Sequence, residues 1–261
     1  MRALTLNDPR HYQIVFLGGL LCVGLWSSFL DIDWLQSLAF IGSALLIQGV
    51  LDVMSKRAWN WKSALITSLS LSLLLRTPSL SMAACASGVA IASKFLFTFK
   101  GQHVFNPANF AIVICALFLD AWISPGQWGH NAWLSLLFIG LGFLVSMRAT
   151  RVDVALIFLL SFILLLALRS AYLGDPFELM LHQLNNGALL LFAFFMITDP
   201  RTSPNHWLAR IIYAVALAVI GFVLQYYFFV SQGMLFALVL VCLCVPLLNT
   251  LFVERSYKWG I

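Results

Sequence analysis

The chain has 261 residues, of which 62% are hydrophobic and only 10% are charged. Soluble domains carry roughly 25% charged residues, which excludes an ordinary soluble protein. Uncharged apolar runs recur along the whole chain, each near the length that crosses about 30 Å of hydrocarbon. The composition predicts an all-α, polytopic membrane protein with a single integral membrane domain and no separate soluble catalytic domain.

Ten apolar segments follow one another along the chain, and none alternates with period two as a barrel strand would. They are Ile14–Leu30, Trp34–Met54, Trp61–Leu75, Leu80–Phe97, Pro107–Trp122, Ala132–Met147, Val152–Leu168, Phe177–Thr198, Trp207–Val230 and Gly233–Phe252.

The basic residues support this count of ten spans. With the N-terminus inside, thirteen of the fifteen Lys and Arg residues fall on the inner side, and only Arg76 and Arg169 fall outside. This is the bias that the positive-inside rule expects. It predicts that both termini are cytoplasmic, and it accounts for the net charge of +5 without a nucleic-acid partner.

Ten spans divide into five plus five, and an odd number of spans per half makes the second half an inverted repeat. We place the repeats at about residues 1–126 and 127–261. The third segment stops at Arg76-Thr77-Pro78 and the eighth at Thr198-Asp199-Pro200. Matched interruptions of this kind predict broken third and eighth helices beside a site near the membrane midplane. Ordinary helix stops at the membrane surface are the alternative.

The charges at these two stops are candidates for function. A charge at membrane depth costs roughly 3 kcal/mol even on the lenient insertion scale, so it is usually paired or functional. We hypothesise that Arg76 pairs with Asp199. The run Thr198–Pro204 fits either a proline-bounded turn bonded to its own backbone or a contact for a phosphate or ribityl group.

The stretch Ser93–Phe110, SKFLFTFKGQHVFNPANF, concentrates polar and aromatic residues between two apolar runs. Asn106-Pro107 is typical of a helix start, with Asn as N-cap and Pro at the first helical position. Two interpretations stay open: a short cationic loop on the cytoplasmic side, or a ligand-facing loop with aromatic walls and cationic ends.

Chemistry-bearing motifs are otherwise scarce. The five cysteines lie inside apolar runs and are expected to be small core side chains. The histidines show no metal-ligand spacing, so we expect no metal site. No hydrolase, ATPase or haem motif is present, and we assign no catalytic residue.

Three stretches together resemble the signature regions of the NqrB/RnfD family of membrane subunits. They are Ser93–Phe110, the LLLRTPSL run of residues 73–80, and FFMITDPRTSP near the end of the eighth segment. The resemblance implies two inverted five-helix repeats in the bacterial inner membrane. It also implies flavin-linked electron transfer coupled to ion transport, with membrane lipid and other subunits of a redox complex as partners.

The resemblance implies a flavin, either FMN or riboflavin, held near the broken helices. The family attaches FMN to a threonine in an S-G-A-T type motif, which is absent here: Ser87-Gly88-Val89-Ala90 lacks the threonine. We therefore expect non-covalent binding, with contacts from Arg76, Thr77, Lys100, His103, Phe105, Asn106, Asn109, Thr198, Asp199 and Thr202. Phe97 and Phe99 are further candidates for stacking on the flavin ring.

Two other functions fit the sequence. One is a membrane transporter or channel for a flavin or another small solute, without redox activity. The other is a membrane scaffold for partner subunits.

Overall fold

In the computed structural model, residues 8–26, 32–124, 132–184 and 186–254 are described. They form two compact units, residues 8–124 (unit 1) and 132–254 (unit 2). Residues 125–131, in the predicted loop between the fifth and sixth segments, lie outside the described residues. So do Arg2, Arg255 and Lys258, which entered the charge count.

Unit 1 consists of five helices and four two-residue strands. The helices are α1 (Pro9–Trp26), α2 (Trp34–Met54), α3 (Trp61–Leu74), α4 (Leu80–Leu96) and α5 (Pro107–Phe118), and the strands are β1 (Leu75–Arg76), β2 (Thr98–Phe99), β3 (Gln102–His103) and β4 (Trp122–Ile123). The first helix begins at Pro9 rather than at the predicted Ile14. Its polar first turn is a helix start, because the Asp8 carboxylate accepts the Arg10 N–H at 3.0 Å and Pro needs no N–H partner at this position.

The helices of unit 1 pack closely around α2 and α4. α2 packs on α3 and α4, α1 on α3, and α5 on α4. Ala44, Ala64 and Ile91 are fully buried where α2, α3 and α4 meet. The Ser87 hydroxyl of α4 donates to the Phe40 carbonyl of α2 at 2.9 Å, so a polar bond joins these helices inside the apolar core.

Two antiparallel strand pairs connect the ends of these helices. β1 pairs with β4, with Leu75 opposite Ile123. The predicted fifth segment ran to Trp122, but α5 ends at Phe118 so that the chain can turn back to β1. β2 and β3 form a hairpin whose turn residues, Lys100 and Gly101, both have positive φ (49° and 78°), as a primed two-residue turn requires.

Unit 2 contains six α-helices and one π-helical turn. They are α6 (Ala132–Arg148), α7 (Val152–Leu173), α8 (Phe177–Leu184), α9 (Gly187–Leu191), the π-helical turn Phe192–Met196, α10 (Trp207–Tyr226) and α11 (Gly233–Leu251). The predicted eighth segment is therefore divided, with a bend of 52° between α8 and the helix that follows. Asn186 begins α9, because its side chain accepts the Ala188 N–H at 2.8 Å.

The helices of unit 2 pack around α10, α6 and α7. α10 packs on α7 and α11, and α6 packs on α9 and the π-helical turn. Gly142 of α6 allows this close approach, because a Cβ there would come within 2.8 Å of the Phe194 side chain.

The long apolar helices indicate a multi-pass membrane protein. Among the described residues, four helices are long and apolar enough to cross a membrane: α2, α7, α10 and α11. A fifth is added if α8 and the bent continuation count as one span. Each of the ten predicted segments contains helix, but ten spans and an inverted repeat stay predictions.

The C-terminus of α2 carries a lysine where glycine is usual. The Arg57 N–H donates to the Asp52 carbonyl at 2.8 Å and the Lys56 N–H to the Val53 carbonyl at 3.0 Å. These two bonds form a Schellman motif, whose residue after the C-cap is left-handed and commonly Gly. Lys56 occupies that position with φ of 53°.

We expect Lys56→Gly to raise the free energy of unfolding by up to about 1 kcal/mol, because glycine removes the strain of a Cβ in the left-handed region. Lys56→Ala, which keeps the Cβ and removes the charge, should give no such gain. Thermal unfolding in detergent measures both. A Lys56→Gly variant that is no more stable than Lys56→Ala would contradict this account.

Candidate functional site

Arg76 closes the C-terminal end of α3. Its guanidinium donates to the carbonyls of Ser72 at 2.9 Å, Leu75 at 3.1 Å and Leu73 at 3.4 Å, and the residue is 5% exposed. The last carbonyls of a helix have no partner within the helix, and a cation there is also favoured by the helix dipole. Arg76 thus allows α3 to end inside the protein. Asp199 belongs to the other unit, and its pairing with Arg76 stays a prediction.

Thr77 links α3 to α2 and to the start of α4. Its N–H donates to the Gln36 side chain at 3.4 Å, and its hydroxyl donates to the Ser79 carbonyl at 3.1 Å. Ser79 caps α4 by accepting the Met82 N–H. Thr77 is buried. These bonds make it a structural connector between helix ends.

Three phenylalanines cluster beneath the β2–β3 hairpin. Phe105 and Phe110 stack with ring centroids 4.9 Å apart, and Phe97 meets the Phe105 ring edge-on at 5.4 Å. Phe105 is buried, whereas Phe97 and Phe99 are exposed. Because its neighbours cover the Phe105 ring, the faces that a planar ligand can reach are those of Phe97 and Phe99.

The predicted cationic residues lie on the hairpin. Lys100 is exposed at the turn, with its ammonium 5.3 Å from the centroid of the Phe99 ring. His103 is half-buried, and its Nδ1 donates to the Lys94 carbonyl at 3.1 Å. The hairpin is thereby fastened to the last turn of α4.

Asn106 begins α5 as the sequence predicted. Its side-chain oxygen accepts the Asn109 N–H at 3.2 Å, and Pro107 takes the first helical position. Both asparagines are buried. The N-cap prediction is confirmed, and this cap accounts for the Asn106 side chain without a ligand.

In unit 2, the π-helical turn gives one carbonyl two side-chain donors. The Phe194 carbonyl accepts the Ser146 hydroxyl at 3.1 Å and the Thr198 hydroxyl at 2.5 Å. A π-helical turn disrupts the ordinary ladder of backbone bonds, and such turns are frequent at functional sites. The buried Thr198 therefore stabilises the distorted helix end by satisfying a carbonyl of the π-helical turn.

The run that follows folds as a turn bonded to its own backbone. The Asp199 carboxylate accepts the Arg201 N–H at 3.0 Å, and the Asp199 carbonyl accepts the N–H groups of Thr202 at 3.1 Å and Ser203 at 3.0 Å. The buried Arg151 guanidinium donates to the Ser203 hydroxyl at 3.1 Å. This geometry matches the first of the two interpretations of the run, and sequence reasoning did not single out Arg151.

The ten predicted contacts fall into three groups. Arg76 and Thr77 precede α4, whereas the group from Lys100 to Asn109 follows it. The 17 residues of α4 separate these groups by about 25 Å along its axis. Thr198, Asp199 and Thr202 lie together in unit 2. A single site formed by all ten stays a prediction.

The end of unit 1 that holds the hairpin also holds an ion-pair network. The Asp8 carboxylate accepts from Arg10 at 2.8 Å and from Lys62 at 3.0 Å. Lys62 also donates to His11 Nε2 at 3.0 Å, and Arg10 to the Asn60 side chain at 3.2 Å. Burial raises the pKa of Asp8, but the bonds from Arg10 and Lys62 outweigh it and hold that pKa well below its usual range.

Lys94 is a buried cation that the sequence analysis did not single out. Its ammonium donates to the Ser63 carbonyl at 3.2 Å and to the Ser63 hydroxyl at 3.1 Å, which joins the end of α4 to the start of α3. The signal was a lysine placed before Phe95 and Leu96 within an apolar run. Among the described residues, no group of three or more His, Cys, Asp or Glu side chains could hold a metal ion.

The described residues fit a flavin only in part. Ser87, which begins the S-G-V-A stretch, is fully buried in α4 and offers no attachment point. Phe97 and Phe99 are exposed, and Lys100 and His103 supply nearby donors. Phe105 is covered, and Asn106 serves as a cap. The part of the predicted site that could accept a flavin is therefore the exposed face of the hairpin.

We expect Arg76→Ala to lower the free energy of unfolding by about 2–3 kcal/mol, because it removes charged donors from buried carbonyls of α3. Arg169→Ala is the matched control, since Arg169 pairs with Asp175 at 3.2 Å where both side chains are partly exposed. That loss should stay below about 1 kcal/mol. Unfolding by heat in detergent measures both, and a silent Arg76→Ala would contradict the buried-cap role.

The Asp8 network predicts a loss of stability in acid. A carboxyl with a depressed folded pKa stabilises the fold above its ordinary value of 3.8, and this contribution is lost as the pH falls below that value. Asp8→Asn should therefore be less stable than wild type at pH 7, with the difference shrinking in acid. Melting temperatures across a pH series test this. A difference that is constant with pH would rule out the ionised carboxylate as the cause.

Comparisons with known proteins identify the family. Residues 117–258 match the model of the NQR2, RnfD, RnfE family, which is more than half of the chain. The RnfD proteins of the ion-translocating oxidoreductase complexes of Salmonella paratyphi B, Salmonella newport and Salmonella heidelberg are each 32% identical to this chain over 133 residues. The aligned part is 50% of this chain and 36% of each relative, so the match spans about a third of the relatives' length. The chain belongs to the NQR2, RnfD, RnfE family.

Proposed function

We propose that this chain is a membrane subunit of an ion-translocating oxidoreductase complex in a bacterial inner membrane. The observation that carries the proposal is family membership over residues 117–258, together with relatives whose name is that of such a subunit. The apolar helices agree with a membrane subunit that works within a larger assembly.

The proposed architecture is ten helices in two inverted five-helix repeats, with both termini cytoplasmic. Helix pairs at corresponding positions support it, since α4 packs on α2 and α5 in unit 1 and α10 packs on α7 and α11 in unit 2. So does the position of the two interruptions, since α3 ends at Leu74 and the eighth segment is distorted at residues 192–196. Labelling of single cysteines with a membrane-impermeant thiol reagent in intact cells and inverted vesicles would test this topology.

We further propose that the subunit holds a flavin non-covalently and passes electrons through it. The exposed rings of Phe97 and Phe99 offer stacking faces, and Lys100 and His103 offer donors to the flavin's carbonyl and phosphate oxygens. When bound, the flavin supplies the electron-transfer chemistry, while the protein positions it and tunes its potential. Arg76 and Thr198 contribute to the same function by holding the interrupted helices in place.

The test is purification of the intact complex through an affinity tag on this chain, followed by a visible spectrum. We expect other membrane subunits to copurify, and the chain separated from them in mild detergent to show a flavin absorption that dithionite bleaches. Lys100→Ala combined with Phe99→Ala should reduce the flavin bound per chain. Leu96→Ala, an exposed apolar residue of the preceding helix, is the control that should leave it unchanged.

Other outcomes separate the alternatives. A colourless chain that takes up labelled riboflavin into liposomes would replace the redox proposal with the transporter. If other subunits copurify but no flavin is found, the chain would instead be a scaffold within the complex. Flavin that remains as a fluorescent band after denaturing electrophoresis would contradict non-covalent binding.

A further inference from the structure

The end of unit 1 that contains the hairpin has a strong excess of positive charge. Among the described residues, its six basic side chains are Arg10, Lys56, Arg57, Lys62, Lys94 and Lys100, and its two acidic side chains are Asp8 and Asp52. Contacts between helix ends place them together: Lys62 binds Asp8, Lys94 binds Ser63, and the Arg57 guanidinium lies 5.5 Å from the centroid of the Phe95 ring. This end therefore favours an anion.

The two carboxylates of this end are already occupied. Asp8 accepts from Arg10 and Lys62, and Asp52 accepts the Gln48 amide and the Asn60 N–H, each at 2.9 Å. Neither Lys56 nor Arg57, both exposed, forms an ion pair with a carboxylate of the described residues. Their positive charge is directed outward.

The backbone conformation of Lys56 gives no stability reason for a lysine. It lies in the left-handed region at a position that suits glycine, so the fold itself gains nothing from a lysine there. The Schellman motif places Lys56 just after the C-terminal end of α2.

Directly below these cations is an apolar strip. Val53 is 77% exposed and Met54 is 74% exposed, at the last turn of a helix long enough to span a membrane. Trp59 is 60% exposed, and its indole Nε1 would lie 3.7 Å from a Cβ placed on Gly49, one turn before Val53. This order of cations, an aromatic ring and aliphatic side chains suits one amphiphilic ligand with an anionic headgroup and an apolar tail.

We infer that Lys56, Arg57 and Trp59 form a binding site for the headgroup of an anionic phospholipid, whose acyl chain lies along Val53 and Met54. A protein partner would need acidic groups to meet the cations, but it would not need an exposed aliphatic strip at the end of a spanning helix. This inference is independent of the proposed redox function, because it concerns lipid bound to the isolated chain.

The experiment measures lipid preference by native mass spectrometry. The purified chain is mixed with equal amounts of phosphatidylglycerol and phosphatidylethanolamine, and the bound lipids are counted. We expect wild type to retain phosphatidylglycerol preferentially, and Lys56→Gly combined with Arg57→Gln to reduce that preference about tenfold, since basic residues near a membrane surface each contribute to anionic-lipid binding. Glycine at position 56 suits the backbone, so melting temperature should not fall.

The control is Lys100→Asn. It removes one positive charge from the same end of unit 1 and leaves a favoured Asn-Gly hairpin turn. The lipid preference should stay near that of wild type. Glycerol phosphate added at the lipid concentration should not displace the bound lipid, because it lacks the acyl chain.

Three results would overturn the inference. The first is an unchanged preference in the Lys56→Gly, Arg57→Gln variant. The second is an equal loss in Lys100→Asn, which would indicate general charge rather than a site. The third is a wild type that shows no preference for phosphatidylglycerol. Protection of Lys56 from an amine-reactive reagent in the intact complex would then assign the surface to a protein partner.

Discussion

The constraint on which the structure depends is the backbone at the interrupted helices. A helix that ends inside a membrane protein leaves carbonyls without partners, and hydrocarbon offers no water to satisfy them. Arg76 resolves this at the end of α3 by donating to three carbonyls. In unit 2 the hydroxyls of Ser146 and Thr198 do the same for the carbonyl of Phe194. The two interruptions use different chemistry for one physical problem.

This constraint also explains the composition of α3. From Ser68 to Leu75 every residue is buried, yet the run contains three serines. Each serine returns its hydroxyl to a carbonyl of its own helix, at 2.9 to 3.0 Å. Small side chains with internal bonds let neighbouring helices approach without leaving polar atoms unpaired. The buried second half of this short helix therefore depends on residues that a hydropathy reading scores as weak.

The sequence predicted those features that depend on local physics. The bounds of α2, the N-cap at Asn106 and the stop of α3 before Arg76 follow from apolar length, capping and charge, and the structure confirms them. The pairing of β1 with β4 and the burial of Lys94 were missed, because both depend on segments far apart in the chain. Site prediction suffered for the same reason. Asn106 and Thr77 look like ligand contacts in the sequence, but Asn106 accepts the Asn109 N–H, and Thr77 donates to the Gln36 side chain and the Ser79 carbonyl.

The charged residues of unit 1 divide into those with a partner inside the fold and those that face outward. Asp8, Lys62 and Lys94 are basic or acidic groups turned inward, where each has a partner that fixes one helix end to another. Lys56 is turned outward at a backbone position that would be more stable with glycine. Its charge is therefore available to a partner outside the fold. Since Lys56 follows the exposed last turn of a spanning helix, the inferred partner is anionic and adjacent to hydrocarbon, which is the chemistry of a lipid headgroup.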